Sequence, residues 1–223
     1  MSGHVDIGKI AQTVLATSYP MEQRDLGADT KVGRNGVRLQ IAAWDVCGFG
    51  HLSTLHMSAL LGLMRMETAI LAPTCVDAPI LTVDWVSAMG TEVQIIRLFD
   101  VQLRSWPDAY QREFRNIAQR LEKLPDVVLE PSWYDEIMYD CSCLKQGRGV
   151  TNKLARAAED YLATYAAMAA TLPSCDQEQK TGKVRDFARR MYSEDSVTVR
   201  QATKHMGEDA AQRIIVQHLY GMR

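Results

Sequence analysis

Between residues 37 and 101 the chain carries a succession of strand-like runs joined by short links. Val37 to Trp44 alternates in part between apolar and polar residues, and Arg65 to Ala72 is a short run ended by Pro73. Pro79 to Val86 is β-branched and largely apolar, and Glu92 to Val101 carries Val93, Ile95, Ile96 and Phe99. The last two are separated by Ser87-Ala88-Met89-Gly90-Thr91, a loop of hairpin length containing glycine. Leu52 to Leu63 has the leucines and methionines of a helix, but its short links to strand-like neighbours favour a strand in a meander.

Helical periodicity flanks this region. Val5, Ile10, Val14 and Leu15 fall on one loosely helical face over 5–18, followed by a turn-rich stretch with Pro20, Gly27, Gly33 and Gly36. Ala109 to Leu124 presents Phe114, Ile117, Ala118 and Leu121 on one face and is stopped by Pro125. A strand is expected at Ile137 to Leu144. Helices are expected at Asn152 to Leu172, Lys180 to Tyr192 and Val197 to Tyr220, the last split at Gly207. The order predicts a single domain over 1–223 of the α/β class. Its architecture is a three-layer α/β/α sandwich, a central antiparallel sheet of about six strands covered by helices on both faces.

Composition bounds the function. The 223 residues are 47% hydrophobic and 23% charged, as in an ordinary globular protein. A net charge of −2 gives no field-scale attraction to nucleic acid or to an anionic membrane. No window approaches ~18 uncharged apolar residues, so no transmembrane helix is expected. The first residues lack a basic-then-apolar signal peptide, and Asp6 is unlike an acid-poor transit peptide. The expectation is a cytoplasmic protein, or a plastid one if a removed leader preceded the chain, and a monomer.

Five cysteines include the CxC Cys141-Ser142-Cys143 but no CxxC, and no histidine pair has helical metal-site spacing. Buried free thiols and no bound metal are expected. The chain contains no dinucleotide fingerprint, no Walker loop and no nucleophile elbow. Were the chain a reductase, its electrons need not come from a bound nicotinamide.

The most chemically pointed residue is Asp84, in the apolar run Ala78 to Val86. A carboxylate taken out of water pairs or stays protonated, and a carboxyl held neutral near pH 7 is a proton donor. The structural alternative is that Asp84 bonds a backbone amide or points to solvent. Asp195 opens the last amphipathic stretch, 111 positions later.

Several segments, in order, resemble the ferredoxin-dependent bilin reductases. They are Ser53-Thr54-Leu55-His56-Met57-Ser58; Ala72-Pro73 followed by Ala78 to Val86 with its central Asp84; and Gly90 followed by Glu92 to Asp100. Pro131-Ser132-Trp133-Tyr134 to Lys145, and Asp195 to Tyr220 around Gly207-Glu208-Asp209, complete the pattern over roughly 37–222. The resemblance implies the same α/β/α sandwich, with bilin between the sheet and the C-terminal helices. It implies Asp84 and Asp195 as catalytic proton donors facing each other across the bilin, and reduced ferredoxin as the electron donor with no bound cofactor. His56, Lys145, Arg148 and Arg200 would bind substrate, the cations pairing with the propionates. A basic patch of Lys145, Arg148, Lys153 and Arg156 would meet acidic ferredoxin.

Two departures narrow the expected reaction. The phycocyanobilin-forming branch has a His on the third strand and a Glu on the second; those positions fall near Thr68 and at Ser58 here, with Glu67 adjacent. Reduction of biliverdin or a dihydrobiliverdin at the C15 methine bridge or the A-ring diene is expected instead. The alternatives are a tetrapyrrole carrier or chaperone without turnover, and a reductase of another open-chain tetrapyrrole such as a chlorophyll catabolite.

Overall fold

Consecutive antiparallel pairing turns the alternating runs into one sheet. The computed structural model describes residues 5–34, 36–194 and 197–222. The strands are β1 (Met21–Gln23), β2 (Lys31–Arg34), β3 (Val37–Val46), β4 (Gly50–Ala59), β5 (Met64–Pro73), β6 (Ile80–Ala88), β7 (Thr91–Phe99) and β8 (Cys143–Gly147). They lie in the order β1-β3-β4-β5-β6-β7-β8, with β2 also on β3, so the sheet has eight strands. The two beyond the expected six come from the turn-rich stretch, where three- and four-residue segments pair with β3. Leu52 to Leu63 is indeed mostly strand, β4 ending at a 3-10 turn over Leu60–Gly62.

The strand expected at Ile137 to Leu144 starts only at Cys143. A capping box at Ser132, whose backbone N–H is bonded by the Asp135 carboxylate at 2.8 Å, winds Trp133–Ile137 into a 3-10 turn instead.

The helices divide between the two faces. α1 (Ile7–Ala16), α2 (Asp108–Gln119) and α3 (Thr151–Thr171) cover one. α4 (Gln177–Ser193), α5 (Val197–Met206), α6 (Glu208–Gln212) and a π-helix over Arg213–Leu219 cover the other. Gly207, at φ +87°, separates α5 from α6 as its position in the sequence predicted. The period of two sorts the side chains: Trp44, Leu52, Leu71, Leu81, Val83, Trp85, Ile96 and Leu98 meet α1–α3. Ile41, Leu55, Ile70, Ile80 and Phe99 meet Val184, Phe187, Ile214, Ile215 and Tyr220 of the C-terminal layer. Buried Tyr161 and Tyr165 satisfy their hydroxyls by donating to the Cys141 and Pro79 carbonyls, at 2.7 and 2.6 Å.

A buried cation fixes α4. Lys180 is 0% exposed, and its Nζ donates to the Ala78 and Val101 carbonyls at 2.6 and 2.9 Å, with Asp77 Oδ1 at 3.4 Å. Burial lowers its pKa to about 8, against the attraction of Asp77. Lys180→Met would strand those acceptors, so urea unfolding should show a loss of about 3 kcal/mol. A second tie joins the 27–30 turn to the π-helix: Asp29 accepts from Arg213 Nε at 2.6 Å and pairs with His218 Nε2 at 2.9 Å. The Arg213 bond holds the Asp29 carboxyl down to about 2, against desolvation. A carboxylate with a lowered folded-state pKa stabilises above its unfolded value and loses that contribution as pH falls through the folded one. With Arg213 partly solvent-screened the contribution is about 1–2 kcal/mol. Asp29→Asn should therefore flatten the stability profile between about pH 4 and pH 2, measured by denaturant midpoints.

Candidate functional site

Asp84 sits mid-strand in β6, in phase with Ile80 and Thr82, and so faces the C-terminal helical layer. Its register partners are Thr68 on β5 and Ile95 on β7. Thr68 Oγ1 donates to Asp84 Oδ1 at 2.6 Å. Thr68 is the position at which the resemblance predicted a missing histidine, and the hydroxyl there addresses the aspartate directly. Burial raises the Asp84 carboxyl above its ordinary value; Arg97 and the Thr68 bond pull the other way without cancelling it. Among the described residues the Asp84 side chain is of intermediate exposure and is bonded by the Thr68 hydroxyl rather than by a backbone amide.

The surroundings are aromatic and cationic. Arg97, register partner of Thr82, lies over the Tyr134 ring at 5.2 Å. Tyr134 and Trp133 come from the 3-10 turn, and Phe187 of α4 packs edge-on or tilted against Phe99, Trp133 and Tyr220. Tyr220 is buried, and burial, with the Asp84 charge next, keeps its phenol protonated well above the usual range. Three buried polar atoms packed into this layer lack hydrogen-bond partners: Arg97 Nε, Thr82 Oγ1 and Trp133 Nε1. Buried polar atoms are ordinarily satisfied; on the α1–α3 side Tyr19 Oη, Glu92 Oε2 and Gln94 Oε1 are unmatched as well. Toward the hairpin ends the same face is only half covered, with Met57, Met66, Val86, Val93 and Ile95 of intermediate exposure.

The C-terminal turn brings Tyr220 to this place. The Tyr220 N–H bonds the Ile215 carbonyl, five residues back, the wider turn of a π-helix. Below it, His51 Nε2 donates to the His218 carbonyl at 2.8 Å and Ser53 Oγ to the Leu219 carbonyl at 2.8 Å. Burial, reinforced by the Arg24 charge, lowers His51 to about 4, which keeps its ring neutral. Gly221 takes φ +76°, and a Cβ there would stand 2.6 Å from the His51 ring.

The other sequence-predicted site residues are dispersed. His56 and Lys145 belong to the opposite face of the sheet. His56 pairs across β4 and β5 with Glu67, Nδ1 to Oε1 at 2.5 Å. Lys145 opposes Gln94 and is held by the Leu124 carbonyl and by Asp126 at 2.6 Å. One-residue alternation therefore puts both of these expected substrate-binding residues on the face away from Asp84. Arg148 is exposed in the β8–α3 loop, and Arg200 is exposed on α5, in the layer over Asp84. Asp195 lies outside the described residues.

Of the expected ferredoxin patch, Arg148, Lys153 and Arg156 are exposed, Arg156 with its Nε 3.5 Å from Asp160, whereas Lys145 is largely covered and paired with Asp126. A cleft of about 1040 Å³, lined by Glu67, Trp85 and Glu92, opens on the α1–α3 side, away from Asp84. Arg97 and Tyr220 were missed by sequence reasoning. An arginine inside Ile95-Ile96-Arg97-Leu98-Phe99 was a signal of the same kind as Asp84.

Among the described residues no group of three or more His, Cys, Asp and Glu is placed to hold a metal ion. Cys141 and Cys143 are buried against α3, and burial pushes their thiols up to about 12 and about 11. No helix among the described residues is long and apolar enough to cross a membrane.

The Thr68 bond and the Arg97 charge both favour the ionised form of Asp84. Thr68→Val and Arg97→Met should therefore each raise its pKa further, measured by carboxyl ¹³C chemical shifts against pH. Either shift downward would contradict this account of the site.

No family model matches the chain, and no curated protein matches it by sequence. The fold is similar to that of phytochromobilin synthase from tomato, solved in complex with biliverdin. The TM-score is 0.75 at 14% sequence identity, covering 95% of this chain and 82% of that one. The chain therefore has the α/β/α sandwich fold of that bilin-bound synthase.

Proposed function

We propose that this protein is a bilin reductase, reducing a linear tetrapyrrole such as biliverdin with single electrons from reduced ferredoxin. The observation that carries this reading is Asp84. Its carboxyl is pushed toward the neutral form, on a sheet face closed by the C-terminal helices and amid the unpartnered donors Arg97 Nε, Thr82 Oγ1 and Trp133 Nε1. A related fold holding biliverdin supports the choice of ligand.

The residues divide the work. Aromatic Trp133, Tyr134 and Tyr220 offer flat surfaces to a conjugated chain, and the orphan donors would bond its lactam or carboxylate oxygens. Each electron added to the tetrapyrrole makes its carbons and nitrogens more basic. A neutral Asp84 then donates a proton to the reduced substrate and is reprotonated from solvent between steps. Reducing one double bond takes two electrons and two protons, so a second proton source is needed. Asp195 fills that role in the resemblance, and Tyr220, protonated beside Asp84, is positioned to relay to the same region. Arg97 stabilises the carboxylate left after transfer. Neither a histidine at Thr68 nor a glutamate at Ser58 is present, which favours the C15 methine bridge or the A-ring diene over vinyl reduction of the phycocyanobilin kind. Of the predicted propionate cations, Arg200 is in the layer that covers this face.

Asp84→Asn keeps the shape and removes the acid. It should still bind biliverdin with a shifted absorption spectrum, while turnover with reduced ferredoxin falls by roughly a hundredfold or more. Because the acid form is the active one, wild-type turnover should decline as pH rises through the Asp84 pKa. Thr68→Val should move that decline to higher pH. Wild-type rates in Asp84→Asn would refute the role, and a stable shifted spectrum that never progresses on adding ferredoxin would make the protein a carrier.

A further inference from the structure

One end of the sheet combines exposed apolar side chains, positive backbone φ and unmixed positive charge. The β4–β5 tip (Leu60 to Leu63) and the β6–β7 tip (Met89 and Gly90) are neighbours there, because Met64 pairs with Ala88. Leu60, Leu61, Leu63 and Met89 are 58%, 105%, 66% and 77% exposed. Leu61 thus projects with nothing beside it. Among the described residues the non-glycine positions of positive φ are Leu60, Leu61 and Met89, at 51°, 56° and 51°. Left-handed backbone is costly for large side chains, and glycine or asparagine is the usual occupant of such turns. Folding of the isolated chain thus gains nothing visible from leucine and methionine there, which is the pattern of a surface kept for contact.

The exposed charge on the tips and their flanking segments is positive. Arg38, paired with Ser58, flanks them on one side, Arg65 stands between them, and Arg148 and Lys153 flank them on the other; all four are exposed. The segments 36–38, 58–65, 87–91 and 147–153 contain no aspartate or glutamate. Glu92 and Glu67 lie deeper and are buried.

We propose that this end of the sheet is a membrane-docking surface that inserts Leu60, Leu61, Leu63 and Met89 into the headgroup boundary of an anionic bilayer. Leu60 and Leu61 project from the β4–β5 tip while Leu63 and Met89 stand on the rim of the adjoining cleft, an uneven apolar surface that suits a deformable medium better than a flat protein face. Cations set back from apolar tips match the anionic headgroups above an acyl layer. The net charge of −2 argued against membrane attraction only as a whole-molecule average, and segregation of charge at one end overrides it locally. The surface lies away from Asp84, so it would localise the protein without entering its site.

Sedimentation of the full chain with vesicles tests this. The protein should partition onto phosphatidylcholine vesicles containing about one third phosphatidylserine, not onto pure phosphatidylcholine, and less as salt rises. Leu61→Ser with Met89→Ser should weaken partitioning roughly tenfold or more at an unchanged melting temperature. Arg65→Gln with Lys153→Gln should weaken it as well. A Leu61→Trp variant should gain emission that anionic vesicles with brominated acyl chains quench. Absence of binding to anionic vesicles at low salt, or equal binding of wild type and the Leu61→Ser, Met89→Ser variant, would overturn the proposal. So would loss of binding to an acidic ferredoxin in that variant without vesicle binding by the wild type, which would make the surface a protein-docking face.

Discussion

Two buried side chains on β4, His51 and Ser53, hold the last helical turn to the sheet by donating to the carbonyls of His218 and Leu219. The rest of the candidate site depends on that tie. Carbonyls near a helix C-terminus have no partner within the helix, and burying them unpaired is costly. Here they become the docking points that close the second layer over Asp84 and set Tyr220 beside it. The neutral state of His51 belongs to the same arrangement, since a charged imidazole would be stranded in this apolar seam.

The two faces of the sheet have different tasks. The α1–α3 face is packed with large apolar side chains and anchored by tyrosine hydroxyls on backbone carbonyls. The opposite face is filled at one end and half covered at the other, and its polar residues are in tension. Asp84 is half-buried, raised in pKa and supported by one threonine and one arginine, while Arg97 Nε, Thr82 Oγ1 and Trp133 Nε1 go unmatched. An interior evolved only for stability leaves few such atoms. The α1–α3 side has unmatched atoms of its own, on Tyr19, Glu92 and Gln94, so it is the raised carboxyl of Asp84 that singles out the C-terminal face, where Lys180 and Asp29 hold the helical layer in register.

Much of the fold was legible in the chain because period and punctuation agree. The strands alternate, glycine marks the β6–β7 hairpin, and Pro73 and Gly207 sit at element ends, whereas α2 stops at Gln119, short of the expected stop at Pro125. The two short edge strands were not legible, since three or four residues carry too little pattern and pair only because β3 offers them a free edge. The strand expected from Ile137 failed for a local reason: Ser132 and Asp135 cap a helical turn that competes with extension. At the site, Asp84 stood out because a carboxylate interrupts an apolar run. His56 and Lys145 look equally suitable in sequence, yet they belong to the other face.

The sequence by itself determined that an antiparallel meander would be sandwiched between helices and that one aspartate would lie within it. Hydrophobic period and turn chemistry are local properties. Tertiary structure alone decided which charged residues share the face of Asp84, because a side chain's face depends on strand register. It also decided that Arg97, Thr68 and Tyr220, from two strands and a π-helix, meet there. They come from positions as far apart as 68 and 220, and no periodicity encodes a meeting at that separation.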